Sequence, residues 1–181
     1  MKRIIIIVLS MAFCFSVYSQ DKLNKLSMNP VSLILASMNN FEFERGFADG
    51  KLGIAFYYGK TGNTTKAVNG YRIYASEQAI SFNTYIKNVC KPAFWFGPRL
   101  SFTSSNIYDD KNPSNYATNI GTLGLSMSLG VQLVLGGLYI SPYFAFGGAI
   151  TNNLWGDAKY YGDLKESRFI INYGLKTGIA F

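Results

Sequence analysis

Four charged side chains sit in stretches that otherwise alternate large hydrophobes with small or hydroxylated residues: Glu42, Glu44, Arg99 and Lys176. Two acids and two bases on one face could move protons, select permeating ions or simply neutralise one another. Acid-base and nucleophilic chemistry near neutral pH leans on histidine, and this chain has none. His-based triads, His-held metals and His-dependent lipid-modifying or proteolytic barrels are therefore excluded. Cys90 has no histidine to activate it and reads as a free structural thiol. Asp109 and Asp110, with Asn106, Asn112 and Asn115, offer oxygens that suit calcium, but they lack a calcium-loop spacing and read as a solvated loop. No catalytic residue, metal site or cofactor motif follows. The four charges are instead expected to form a structural network in a lumen, with Asn83, Tyr85, Gln132 and Tyr143 as neighbours.

A lumen requires walls, and the pattern supplies them. Residues 112–156 contain no Asp, Glu, Lys or Arg. A surface that long without charge needs an apolar medium. Leu123, Leu125, Met127, Leu129, Val131, Leu133 and Leu135 hold the odd positions, while Thr122, Gly124, Ser126, Ser128, Gly130 and Gln132 hold the even ones. Period two is strand behaviour, and wound as a helix these residues would expose polar groups to lipid all round. After Gly136 and Gly137 the alternation resumes, with Leu138, Ile140, Pro142, Phe144 and Phe146 opposite Tyr139, Ser141, Tyr143, Ala145 and Gly147. Pro142 is awkward in a paired strand because it lacks a donor.

The same alternation marks further strands. Phe94, Phe96, Leu100 and Phe102 oppose Trp95, Arg99, Ser101 and Thr103; Ile80, Phe82, Thr84 and Ile86 form one outward set, Leu52, Ile54, Phe56 and Tyr58 another. Phe41 and Phe43 flank Glu42, and Tyr173, Leu175, Ile179 and Phe181 are expected outward on the last strand. Connections at 48–50, 88–92 and 135–137 are short, whereas 61–69, 104–118 and 151–167 are long. Outer-membrane barrels place short turns at the periplasm and long loops outside. If Phe181 ends at the periplasm, the strand near Asn40 runs downward and an upward strand must precede it. Residues 30–38 are expected to be that strand, joined by a tight turn at Asn39 and Asn40. The expected fold is all-β: an eight-stranded antiparallel up-and-down transmembrane barrel with both termini periplasmic.

Residues 1–19 read as a signal peptide, with Lys2 and Arg3 before an apolar stretch and Val17-Tyr18-Ser19 as the cleavage site. Residues 20–181 are then one barrel domain. Of 17 Lys and Arg, loss of Lys2 and Arg3 leaves 15 against 10 acids, scattered without a basic stripe, so nucleic acid is not an expected partner. Tyr57, Tyr58, Tyr71, Tyr74, Tyr139, Trp155, Tyr160 and Tyr161 are expected at interfacial girdles; a carbohydrate site at Trp155, Tyr160 and Tyr161 is the alternative.

Several segments carry a resemblance: Asn29-Pro30 before Leu33-Ile34-Leu35, Phe41-Glu42-Phe43-Glu44, Phe94-Trp95-Phe96-Gly97-Pro98, Gly130-Val131-Gln132 and the last nine residues. Together they resemble the small eight-stranded outer-membrane barrels, most closely the Bacteroidota barrel families of unknown function. The terminal Tyr173, Leu175, Ile179 and Phe181 look like the signal read by the barrel-assembly machinery. The resemblance implies the cell outer membrane as location, with outer-membrane lipid and that machinery as partners. It implies a non-enzymatic structural or surface-interaction role. Alternatives are an accessory subunit of an envelope secretion or assembly complex, or a carrier of small hydrophobic molecules entered through the wall. A soluble lipocalin-like barrel is the rival fold, and it would carry its apolar face inside.

Overall fold

The structure is a computed structural model that describes residues 23–36, 38–61, 71–109, 116–151 and 169–181. The expected signal peptide, Asp110, Asn112, Asn115, Trp155, Tyr160 and Tyr161 lie outside the described residues. The elements are β1 (Asn24–Met28), α1 (Pro30–Ala36), β2 (Met38–Phe47), β3 (Leu52–Thr61), β4 (Tyr71–Tyr85), β5 (Ala93–Asp109), β6 (Tyr116–Leu135), β7 (Leu138–Thr151) and β8 (Phe169–Ala180). Each strand pairs antiparallel with the next, and β8 returns to β1 to close an up-and-down barrel of eight strands. Short connections gather at one end with the start of β1 and residue 181, called here the turn end. The other is the loop end.

The pleat sorts side chains as the alternation requires. Phe56, Phe82, Leu125, Val131, Leu133 and Phe144 are exposed outside, while Glu44, Asn83, Ser128, Gln132 and Ser141 are buried inside. This is the reverse of a lipocalin-like barrel. Gly136 and Gly137, both at positive φ (59° and 98°), make the two-residue hairpin between β6 and β7. Pro142 keeps its place opposite Leu175 on β8, but the β6–β7 ladder skips from Gly130↔Tyr143 to Leu133↔Ile140. The missing donor thus interrupts one ladder and spares the other. Pro98 does the same, with β4–β5 pairing broken between Ser81↔Arg99 and Thr84↔Phe96.

The first hairpin differs from expectation. Residues 30–36 form a helix, and Asn39 and Asn40 belong to β2 rather than to a tight turn. The upward strand is β1, only five residues long. Register explains the choice. Lys25 and Ser27 sit opposite Glu44 and Glu42 and face the lumen; extending that strand would turn Val31, Leu33 and Leu35 inward and Ser32 out. The chain stops the strand instead. Asn29 Oδ1 accepts from the N–H groups of Val31 (3.0 Å) and Ser32 (3.2 Å) as an N-cap, and Pro30 occupies the first helical position, where its missing donor costs nothing.

Two further differences concern the ends. β5 runs to Asp109 and β6 begins at Tyr116, so much of the expected loop 104–118 is strand standing above the rest of the wall. Phe181 is buried rather than outward; its N–H donates to Asn24 O (2.9 Å) and its carbonyl accepts from Asn24 N (3.0 Å).

Candidate functional site

The polar interior is organised in two tiers and a cap. In the lower tier Lys25 Nζ lies 2.8 Å from Glu44 Oε2, with both side chains almost wholly buried. Lys25 also donates to Tyr85 OH (2.7 Å) and Gln132 Oε1 (3.1 Å). Glu44 Oε1 accepts from Tyr85 OH (2.7 Å) and Asn83 Nδ2 (2.9 Å). The pair is thus saturated with hydrogen bonds, the condition under which a buried charge is tolerated. It spans the barrel from β1 and β2 to β4 and β6.

The upper tier is one inward step along β2. Lys176 Nζ reaches Glu42 Oε1 at 2.6 Å, Arg99 pairs with Glu77 at 2.7 Å, and Arg99 Nη1 stands 3.9 Å from Glu42 Oε2. Arg99 lies over the Tyr57 ring (4.3 Å) and Lys176 over that of Trp95 (4.8 Å), contacts that favour a cation. Across the two tiers three bases meet three acids. No net charge is left to attract a permeating ion, and the long side chains fill a lumen already narrow at eight strands.

Beneath the lower tier, the β4–β5 turn at 86–92 folds into the barrel mouth. Val89 is fully buried against Tyr85, Ala93 and Trp95, with Leu23, Cys90 and Tyr143 around them. Gln132 Nε2 donates to three carbonyls of this turn, Asn88 (3.2 Å), Val89 (2.7 Å) and Lys91 (2.6 Å). Val89 N donates to Gly50 O at 2.7 Å, tying the turn to its neighbour. Trp95 Nε1 donates to Ser141 Oγ (2.9 Å).

Of the four charges expected to meet, Glu42, Arg99 and Lys176 share the upper tier, while Glu44 lies a step below with a different partner. Asn83, Tyr85, Gln132 and Tyr143 all reach this interior as neighbours. Lys25 and Glu77 were missed. Both obey the alternation: Lys25 and Ser27 against Leu26 and Met28, Glu77 and Ala79 against Ile80 and Phe82. Cys90 is half-buried in the tucked turn, its thiol 3.7 Å from Asn24 O. Tyr57 and Tyr139 turn into the lumen rather than joining an interfacial girdle, while Tyr58 stacks beside Phe41 at 5.6 Å. Tyr173 and Ile179 are exposed on the outside of β8. Among the described residues no group of three or more His, Cys, Asp or Glu is arranged to hold a metal.

No family model matches the chain, and no curated protein does. Among solved structures, the chain is similar to a major outer membrane protein from Thermus thermophilus, at 14% identity over 87% of this chain and 99% of that one, with a TM-score of 0.48.

Proposed function

We propose that this chain is a non-enzymatic barrel of the outer membrane, with both termini periplasmic and the lumen closed on that side, serving a structural or surface-interaction role. The observation that carries the reading is the outer surface. Large hydrophobes from Phe41 to Phe47 on β2, Phe94 to Leu100 on β5 and Leu125 to Leu135 on β6 stand exposed around the wall. Nine strand residues, tilted as in membrane barrels, span about 20 to 25 Å, close to the usual apolar band. Above that band the outward residues become polar: Lys60 on β3, Gln78 on β4, and Ser104, Asn106 and Asn119 at the top of β5 and β6, where Asn119 Nδ2 donates to Asn106 Oδ1 at 2.5 Å. Short turns at one end and longer connections at the other support the periplasmic orientation.

The tucked turn and the two neutral tiers support closure. The partners are outer-membrane lipid and, during insertion, the barrel-assembly machinery that would read Tyr173, Leu175, Ile179 and Phe181. Fractionation with heat-modifiable gel migration tests location and closed barrel together. Recovery with the outer membrane and faster migration before boiling are expected. A protein that is soluble without detergent would overturn the reading.

A further inference from the structure

Neighbouring outward residues line up across the wall in rows, one residue from each strand. On β3, β4 and β5 one row reads Phe56, Ile80, Leu100. The next toward the loop end reads Tyr58, Gln78, Phe102, and the one above it Lys60, Ser76, Ser104. The change from apolar to polar therefore passes through the middle row, where an amide stands between two aromatic rings. Rings stand on β3 and β5 (Phe56, Tyr58 and Phe102) and none on β4 between them, so the wall is hollowed along β4. The hollow is a groove of about 460 Å³ lined by the two lower rows, with Leu123 of β6 beyond them. That size falls within the ~300–1,000 Å³ usual for small-ligand sites.

Gln78 and Lys60 are both exposed, and among the described residues neither the amide nor the ammonium has a hydrogen-bond or ion-pair partner. An amide in apolar surroundings costs free energy until something hydrogen-bonds to it. The rows thus make three demands in a fixed order. Ile80, Leu100 and Phe56 suit a hydrocarbon chain, Gln78 a carbonyl, and Lys60, about 7 Å beyond Tyr58 along β3, an anion. Chain, carbonyl and anion in that sequence describe an acyl group, its ester or amide linkage and a phosphate.

The polar side of the groove narrows the class further. β4 and β5 continue above the end of β3, and there the outward face carries Ser104 and Asn106 beside Tyr74 and Tyr108, whose rings meet edge-on at 5.4 Å. Hydroxyl, amide and phenol groups on a raised wall suit sugar hydroxyls better than the bare head of a glycerol phospholipid. We propose that the groove holds one molecule of a phosphorylated, acylated glycolipid of the outer leaflet, with an acyl chain against Ile80, its linkage carbonyl accepting from Gln78 Nε2, its phosphate at Lys60 and its sugar against the raised part of β4 and β5. The site lies on the outside of the wall. It needs no passage through the closed lumen.

The inference rests on the membrane placement proposed above, with the loop end outward; fractionation tests that placement separately. Its own test is native mass spectrometry of the full-length folded barrel released from detergent. The barrel is titrated with a phosphorylated acyl-glucosamine disaccharide, with the same lipid stripped of phosphate, and with phosphatidylglycerol. One bound glycolipid at saturation is expected, with half-saturation at about ten-fold higher concentration for the stripped lipid and for phosphatidylglycerol. Lys60→Gln should bring the phosphorylated lipid to the level of the stripped one, and Gln78→Leu should weaken both glycolipids alike by about ten-fold. Lys87→Gln, at the turn end, should change nothing. If a variant loses heat-modifiable migration, the three lipids on the unaltered barrel decide alone. Adducts that accumulate without saturating, equal affinity with and without phosphate, phosphatidylglycerol binding as tightly, or a folded Lys60→Gln barrel that still prefers the phosphorylated lipid would overturn the proposal. So would a lipid-free dimer that Gln78→Leu disrupts, which would give the groove to a second copy. Any of these in a protein that fractionates with the outer membrane leaves the placement intact.

Discussion

The two ends of this lumen are built on opposite terms. At the turn end Lys25, Glu44, Tyr85, Asn83 and Gln132 bond to one another, and the tucked turn fills what remains around Val89. Toward the loop end the wall has a helix where a strand would pair, and in the upper tier the buried Glu42 Oε2 has no hydrogen-bond partner. Buried polar groups are normally satisfied, because each unmet one costs about 1 to 3 kcal/mol. A chain that saturates both members of the Lys25–Glu44 pair and leaves an oxygen of Glu42 open has placed its firmer hold below. Substitutions should therefore act differently in the two halves.

The largest effect is expected from Lys25→Met, which strands Glu44 as an unpaired buried charge at a cost of about 3 to 5 kcal/mol. The temperature at which heat-modifiable migration is lost should fall sharply. Pairing it with Glu44→Gln should recover much of the loss, because the cost is a stranded charge rather than a lost attraction. Next comes Gln132→Leu, which removes the donor shared by three turn carbonyls and should cost about 2 to 3 kcal/mol in the same assay. An unchanged melting temperature would mean that the turn is held by Val89 packing alone. Arg99→Met should cost less than Lys25→Met, since Arg99 is less buried and its loss leaves Glu42 still paired with Lys176 at 2.6 Å. It should lower heat stability without creating a conductance. Smallest is Asn29→Ala, which removes the cap of α1 at about 1 kcal/mol. Hydrogen exchange is expected to rise in 30–36 while β4 to β7 stay protected; a uniform rise across the barrel would make α1 part of the cooperative core.

Most of the wall was legible because a narrow closed barrel gives each strand residue one of two faces, an apolar outside and a small or polar inside. β6 and β7 follow that rule over nearly their whole length, so alternation alone identified them. β1 was not legible, being five residues whose first two, Asn24 and Lys25, belong to the polar stretch at 21–25. Val31, Leu33 and Leu35 alternate like a strand, and only the register of Lys25 against Glu44 and Ala180 shows that their phase is wrong. The same gap hid Lys25 as the partner of Glu44. Glu77 was missed because β4 begins nine residues before the outward set at Ile80. The fold of residues 86–92 into the mouth has no local signature: Ile86 is exposed and Val89 is buried in the same turn, and the burial of Val89 depends on Gln132, 43 positions away.

Closure of the turn-end lumen is tested most directly by conductance. Protein shown by heat-modifiable migration to be folded, reconstituted into a planar bilayer in potassium chloride, should add no steady current above the lipid background. Arg99→Met should behave the same. A stable ohmic conductance from the unaltered folded barrel would contradict a lumen sealed by Lys25, Glu44 and the turn held by Gln132.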